Sequence, residues 1–128
     1  MIAAEVQKVI YDALKTSPEI AGGRVYDIVP DEAEFPYVMI GQDQVVNDGN
    51  SCGDGWEVFS DIHIWSRELG FLEAKRIAAE IVSRVRAIVQ IPNFVLISVD
   101  FRDLRPLRDP DGLTSHIVCS FLFTIDQA

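Results

Sequence analysis

Polar and apolar positions alternate most regularly in EVFSDIHIWSR, residues 57–67. Successive side chains of a strand point to opposite faces. Val58, Ser60, Ile62 and Ile64 therefore share one face, and Phe59, Asp61, His63 and Trp65 share the other. The alternation predicts a strand from Trp56 to Trp65. It then gives way to helical spacing. Ala74, Ala78, Ile81, Val82, Val85 and Val89 form one stripe, while Glu73, Arg76, Glu80, Ser83 and Arg84 point away. That period predicts a helix from Gly70 to about Val89, stopped at Ile91-Pro92-Asn93. Residues 2–15 carry the same period, with Ile2, Val6, Val9, Ile10, Ala13 and Leu14 on the apolar side. This second amphipathic helix ends before Ser17-Pro18, because the residue ahead of a proline avoids helical angles.

Four further segments read as strands. Arg24–Val29 is short and comes after the turn Ala21-Gly22-Gly23. Tyr37 to about Val46 places Val38 and Ile40 on one face. Phe94–Arg102 sets Val95, Ile97, Val99 and Phe101 against Ser98, Asp100 and Arg102, and Leu104–Gly112 then reads as a turn. Ser115–Ile125 alternates Ile117, Cys119, Phe121, Phe123 and Ile125 against His116, Ser120 and Thr124. Asn47–Gly55 is glycine-rich and reads as a mobile connection longer than a tight hairpin. Half-buried strands and two one-sided helices predict an α+β fold. The expected form is a two-layer sandwich, a mostly antiparallel sheet of about four to five strands with two helices on one face. Residues 1–128 read as a single domain.

Charge changes the picture more than composition does. The net charge is −9, and the excess lies before residue 65. Between Arg24 and Arg67 stand Asp27, Asp31, Glu32, Glu34, Asp43, Asp48, Asp54, Glu57 and Asp61, with no Lys or Arg among them. Such a region repels phosphates and argues against duplex binding. The N-terminal MIAAEVQKVIYDALK has no basic leader ahead of a continuous apolar block, so no secretion signal is expected. No apolar run approaches the ~20 residues that cross a bilayer, and no membrane partner is expected. Cys52 and Cys119 read as free thiols in a reducing compartment.

The candidate chemistry is sparse. His63 lies beside Asp61 and Trp65 on the less apolar face of its strand, and His116 lies on the polar face of the last. Both read as solvent-side or interface residues. A zinc site calls for paired short spacings, whereas Cys52 and Cys119 stand alone. Asp48–Asp54 hints at a calcium loop but lacks the closing glutamate. There is no phosphate-binding glycine loop and no nucleophile elbow. No catalytic, cofactor or metal residue is therefore expected, and no cofactor. Arg67, Lys75, Arg76, Arg84, Arg86, Arg102, Arg105 and Arg108 are mostly interleaved with acids, without the aromatics a nucleic-acid platform uses.

Three segments carry a resemblance. Gly22-Gly23-Arg24-Val25-Tyr26 precedes Phe35-Pro36-Tyr37-Val38-Met39-Ile40-Gly41. Ile64-Trp65-Ser66-Arg67 precedes Glu73-Ala74-Lys75-Arg76-Ile77-Ala78. Arg108-Asp109-Pro110-Asp111-Gly112 precedes His116. In order and spacing they resemble the tail-completion, or tail-terminator, proteins of long-tailed phages and gene transfer agents, over most of the chain. The resemblance implies an α+β subunit that forms a ring with itself, typically of six copies. The ring would cap the major tail tube protein and join it to the head–tail connector, with DNA passing through unbound. It would work in the host cytoplasm during assembly and then in the virion tail.

Two sets of residues take expected places in such a ring. Asp43, Asp48 and Asp54, on a loop from Gly41 to Gly55, and Glu57 just beyond it face the channel or tail tube, and the loop orders on assembly. Arg102, Arg105 and Arg108, with the basic second helix, meet the acidic side of the next copy. The alternative reading is a small ligand-binding or adaptor domain acting as a homodimer.

Overall fold

In the computed structural model, which describes all 128 residues, Ile2, Val6, Ile10 and Leu14 form the buried stripe of α1 (Ile2–Lys15). Burying each such side chain contributes about 1.5–3 kcal/mol. A tight turn at Ala21–Gly23 comes next. Gly22 and Gly23 have φ of 61° and 84°, where a β-carbon is strained. The Gly23 amide donates to the Ile20 carbonyl at 2.9 Å, and Lys15 Nζ donates to the Gly23 carbonyl at 2.7 Å. The glycine pair turns the chain from helix into sheet.

The sheet has five strands: β1 (Val25–Tyr26), β2 (Tyr37–Asn47), β3 (Gly55–Ser66), β4 (Phe94–Arg108) and β5 (Ser115–Gln127). Their order is β1-β2-β3-β5-β4. β1 runs parallel to β2, and every other pairing is antiparallel. The last strand in sequence thus lies inside the sheet, between β3 and β4. α2 (Leu72–Arg86) lies over β3, β5 and β4, and α1 over β1 and β2. Both helices cover one face, whose buried residues include Val38, Ile40, Val58, Ile62, Ile64, Ile117, Phe121, Phe123 and Ile125. The predicted α+β sandwich and the facing of β3 and β5 are as observed.

Several boundaries differ from expectation. The short strand read at Arg24–Val29 is only Val25–Tyr26, and α2 is shorter at both ends than predicted. β2 extends to Asn47, close to the strand expected from Tyr37 to about Val46, so the channel loop expected at Gly41–Gly55 is a loop only from Asp48 onward. The connection is a compact hairpin in which the Asn50 and Gly53 amides and carbonyls exchange hydrogen bonds at 2.9 and 3.2 Å. β4 departs most. It continues through Leu104–Arg108, the segment expected to turn. Bulges between Leu96 and Ser98 and between Phe101 and Asp103 break its period of two. Leu96, Val99 and Leu104 consequently pack on the core, while Val95 and Ile97 are exposed.

Ser66 fixes the join between sheet and α2. Its buried hydroxyl donates to Glu73 Oε1 at 2.7 Å and accepts the Glu68 amide at 3.2 Å. The Asp-Pro-Asp-Gly segment joins β4 to β5. Asp111 accepts from the Leu113 and Thr114 amides and the Thr114 hydroxyl, which together hold its carboxyl down at about 2.

Candidate functional site

The face of the sheet away from the helices carries a row of rings. Tyr37, Trp65 and His116 sit side by side on β2, β3 and β5, as their register requires. The Tyr37 and Trp65 centroids lie 5.3 Å apart, and those of Trp65 and His116 lie 4.4 Å apart, both pairs stacked. His63 stacks behind them, 5.1 Å from His116. The alternation placed these histidines on this face, with His63 expected to meet solvent or a partner. His63 is instead only 9% exposed, packed under its neighbours.

His63 Nδ1 and His116 Nε2 share one hydrogen bond of 2.8 Å. His63 Nε2 is buried and has no partner. Burial holds both imidazoles below the ordinary histidine range, and for His63 the neighbouring His116 adds to it. Such a pair is neutral near pH 7, one ring donating to the other. No group of three or more His, Cys, Asp or Glu is clustered as metal ligands are. Cys119 is buried, and desolvation pushes its thiol up to about 12.

The candidate acids do not share one place. Asp48 and Asp54 lie at the β2–β3 hairpin, beside Asp126 of β5. Glu57 points to the open face of β3. A bulge at Gln42, whose φ is 58°, turns Asp43 to the helix side, where it accepts the Ser60 hydroxyl at 3.0 Å. Partial desolvation raises the Asp43 carboxyl, as do Asp61 and Asp27 nearby, against the Ser60 hydrogen bond. Asp126 was not among the expected residues, because only strand order brings it to the hairpin.

The candidate arginines lie together on β4, the free edge. Arg102 sits over the Phe59 ring at 5.5 Å and Arg108 over the Phe71 ring at 4.6 Å. Arg105 pairs with Asp103 and reaches Ser120, whose hydroxyl donates to Asp61 at 2.6 Å. All three arginines are exposed. The largest cleft, about 590 Å³, lies elsewhere. It opens between the Ala21–Gly23 turn and α2, is lined by Glu19, Arg24, Glu68, Glu73, Arg76 and Glu80 among others, and holds neither histidine.

A two-layer α+β domain with an aromatic open face and charged free edges is a subunit organised around its surfaces. Residues 8–126 match the family described as "Tail completion protein gp17", and the chain belongs to that family. It is a phage tail-completion protein, a structural component of the tail. Among solved structures, it is similar to a chain of the "Virion of native gene transfer agent (GTA) particle". The TM-score is 0.89 at 23% identity, covering 98% of this chain and 97% of that one. No curated protein matches the chain. The three segments that carried the resemblance prove to be joints of the scaffold. They are the glycine turn into β1, the Ser66–Glu73 link, and the Asp111 turn into β5.

Proposed function

We propose that copies of this chain close into a ring, typically of six, that caps the tail tube and joins it to the head connector while DNA passes through. The work is assembly in the host cytoplasm, then service in the virion, with no bond made or broken. One observation carries the reading: the acid-rich Asp27–Glu34 loop stands at one edge of the sheet, and Arg102, Arg105 and Arg108, interleaved with Asp100 and Asp103, stand at the other. A ring repeats a head-to-tail contact around a closed rotation, and such a contact needs two unlike surfaces. The fold shared with a gene transfer agent virion chain supports it.

In this reading the hairpin acids Asp48 and Asp54 face the passage or the tail tube, while Glu57 and Asp43 flank the base of the hairpin on opposite faces of the sheet. Like charge on a wall keeps the polyanion from adhering. The test is negative-stain imaging of the protein mixed with its cognate tail tube. Rings seated at the tube end are the expected result. Tubes left bare, with a homodimer in sedimentation, would favour the adaptor reading instead. Removing residues 48–54 should leave the domain folded but impair capping or joining. Normal tails from that variant would remove the hairpin from the proposal.

A further inference from the structure

We infer that the β4 edge of one copy docks along the β1–β2 edge of the next, placing Arg102, Arg105 and Arg108 against the acids of the Asp27–Glu34 loop. This contact rests on the ring reading and is the one that closes the ring.

Both edges are open. β4 has no strand on its outer side, and ten of its residues are exposed. β1 covers β2 only at Val38 and Met39, so the outer side of β2 is bare from Gly41 to Asn47. An uncovered edge is a template for another chain, and native proteins restrict what may join it. Here the restriction is visible. Pro106 lacks an amide hydrogen and two bulges kink β4, so β4 cannot zip freely along a second β4. Two β1–β2 edges would also set acids against acids, and two β4 edges would gather six arginines with only the paired copies of Asp100 and Asp103 to offset them. The unlike pairing alone avoids both.

The edges also stand at one height. One cross-strand row runs Tyr26, Met39, His63, Val118, Arg105. Two residues along, a row on the same face passes through Gly41, Asp61 and Ser120 and ends at Asp103. The acidic loop that leaves β1 at Asp27 and Arg105 of β4 therefore stand at the two ends of one row, with Arg102 and Arg108 on either side of Arg105 along the edge. Edges at matching height let copies meet side by side without a rise, which is what separates a closed ring from an open helix.

Side-chain chemistry matches as well. The β1 side holds Asp27, Asp31, Glu32 and Glu34 around Ile28, which is 85% exposed. The β4 side holds its three arginines around Phe101 and Leu107, 39% and 46% exposed. Each edge has an apolar centre framed by charge; the β1 loop is acidic, while β4 is mixed, its three arginines outnumbering the exposed Asp100 and Asp103, of which Asp103 pairs with Arg105. Complementary charge fixes register, and a like-charge placement costs several kcal/mol.

A charge-exchange experiment tests this. One variant carries Asp31→Arg, Glu32→Arg and Glu34→Arg. The other carries Arg102→Glu, Arg105→Glu and Arg108→Glu. All six positions are exposed, and circular dichroism should show that both variants fold. Ring occupancy on cognate tail tubes is scored by negative stain and native mass spectrometry. Each variant alone should lose occupancy at least about tenfold. An equal mixture should recover it, because in an alternating ring every contact again joins opposite charges. Rings from either folded variant alone, or none from the mixture, would overturn the edge contact while wild-type rings still upheld the ring reading. If the wild-type chain forms no ring on its tube, the ring reading fails and this inference falls with it.

Discussion

His63 Nδ1 and His116 Nε2 face each other at 2.8 Å, diagonally across β3 and β5. The shared hydrogen bond satisfies one nitrogen of each ring and leaves His63 Nε2 buried alone. The arrangement suits two neutral rings and resists a proton on either.

Stability should therefore depend on pH. Both histidines titrate lower in the folded chain than in the unfolded one. As pH falls through about 6.5, the unfolded chain takes up protons first and gains stability relative to the native state. The contribution is whole above that pH and is lost as pH drops toward the folded values. The charges that face the pair are Asp61 and Arg105 for His63, and Asp109 for His116. Urea midpoints should fall between pH 7.5 and pH 5.5, through the uptake of at most about two protons. His116→Gln should flatten the trend, and an unchanged wild-type midpoint would contradict the neutral pair.

The two thiols should differ sharply in reactivity. Cys52 is exposed at the hairpin, whereas Cys119 is buried with its thiol at about 12. Only the thiolate attacks, so the native protein should titrate with a disulfide reagent as one thiol and the denatured protein as two. Two fast thiols in the native state would mean that β5 opens readily.

Ser66→Ala should cost about 1–3 kcal/mol, because it removes a buried hydroxyl and leaves the Glu73 carboxylate without that donor. Chemical denaturation measures the loss, and hydrogen exchange should show it concentrated in the first turn of α2. Protection lost evenly along α2 would mean that Ser66 does not set where the helix starts.

Phe121→Ala should be among the costliest single changes, at about 3–5 kcal/mol. Its ring is fully buried on β5, opposite Ser60 and Phe101. A loss under about 1 kcal/mol by denaturation would show that the core can collapse around the space.

The sheet was legible wherever one face is dry and the ladder unbroken. β3 and β5 alternate cleanly because their helix-side residues meet α1 and α2 and their other side does not. β4 was not legible beyond its presence. Each bulge flips the facing of the residues beyond it, so Ile97, which reads as core, is exposed, and Leu104, which reads as turn, is packed inward. β1 was overdrawn because two residues of parallel pairing leave almost no pattern. The candidate surfaces show the same division. The runs of acid and arginine are plain in the sequence. That they stand at opposite edges of one sheet depends on the order β1-β2-β3-β5-β4, which no local signal encodes. The facing of Asp43 was not legible for a similar reason, since the bulge at Gln42 turns it to Ser60.

The place of β5 also governs when the molecule can come into being. Residues 115–127 supply the strand that bridges β3 and β4, and they are the last of these elements to leave the ribosome. Until they emerge, α2 has no complete floor, and β3 and β4 have nothing to join them. A nascent chain arrested before Ser115 should therefore be cut freely by protease, and a released one should not. The edges of the proposed contact between copies are likewise complete only once β5 has joined β3 to β4.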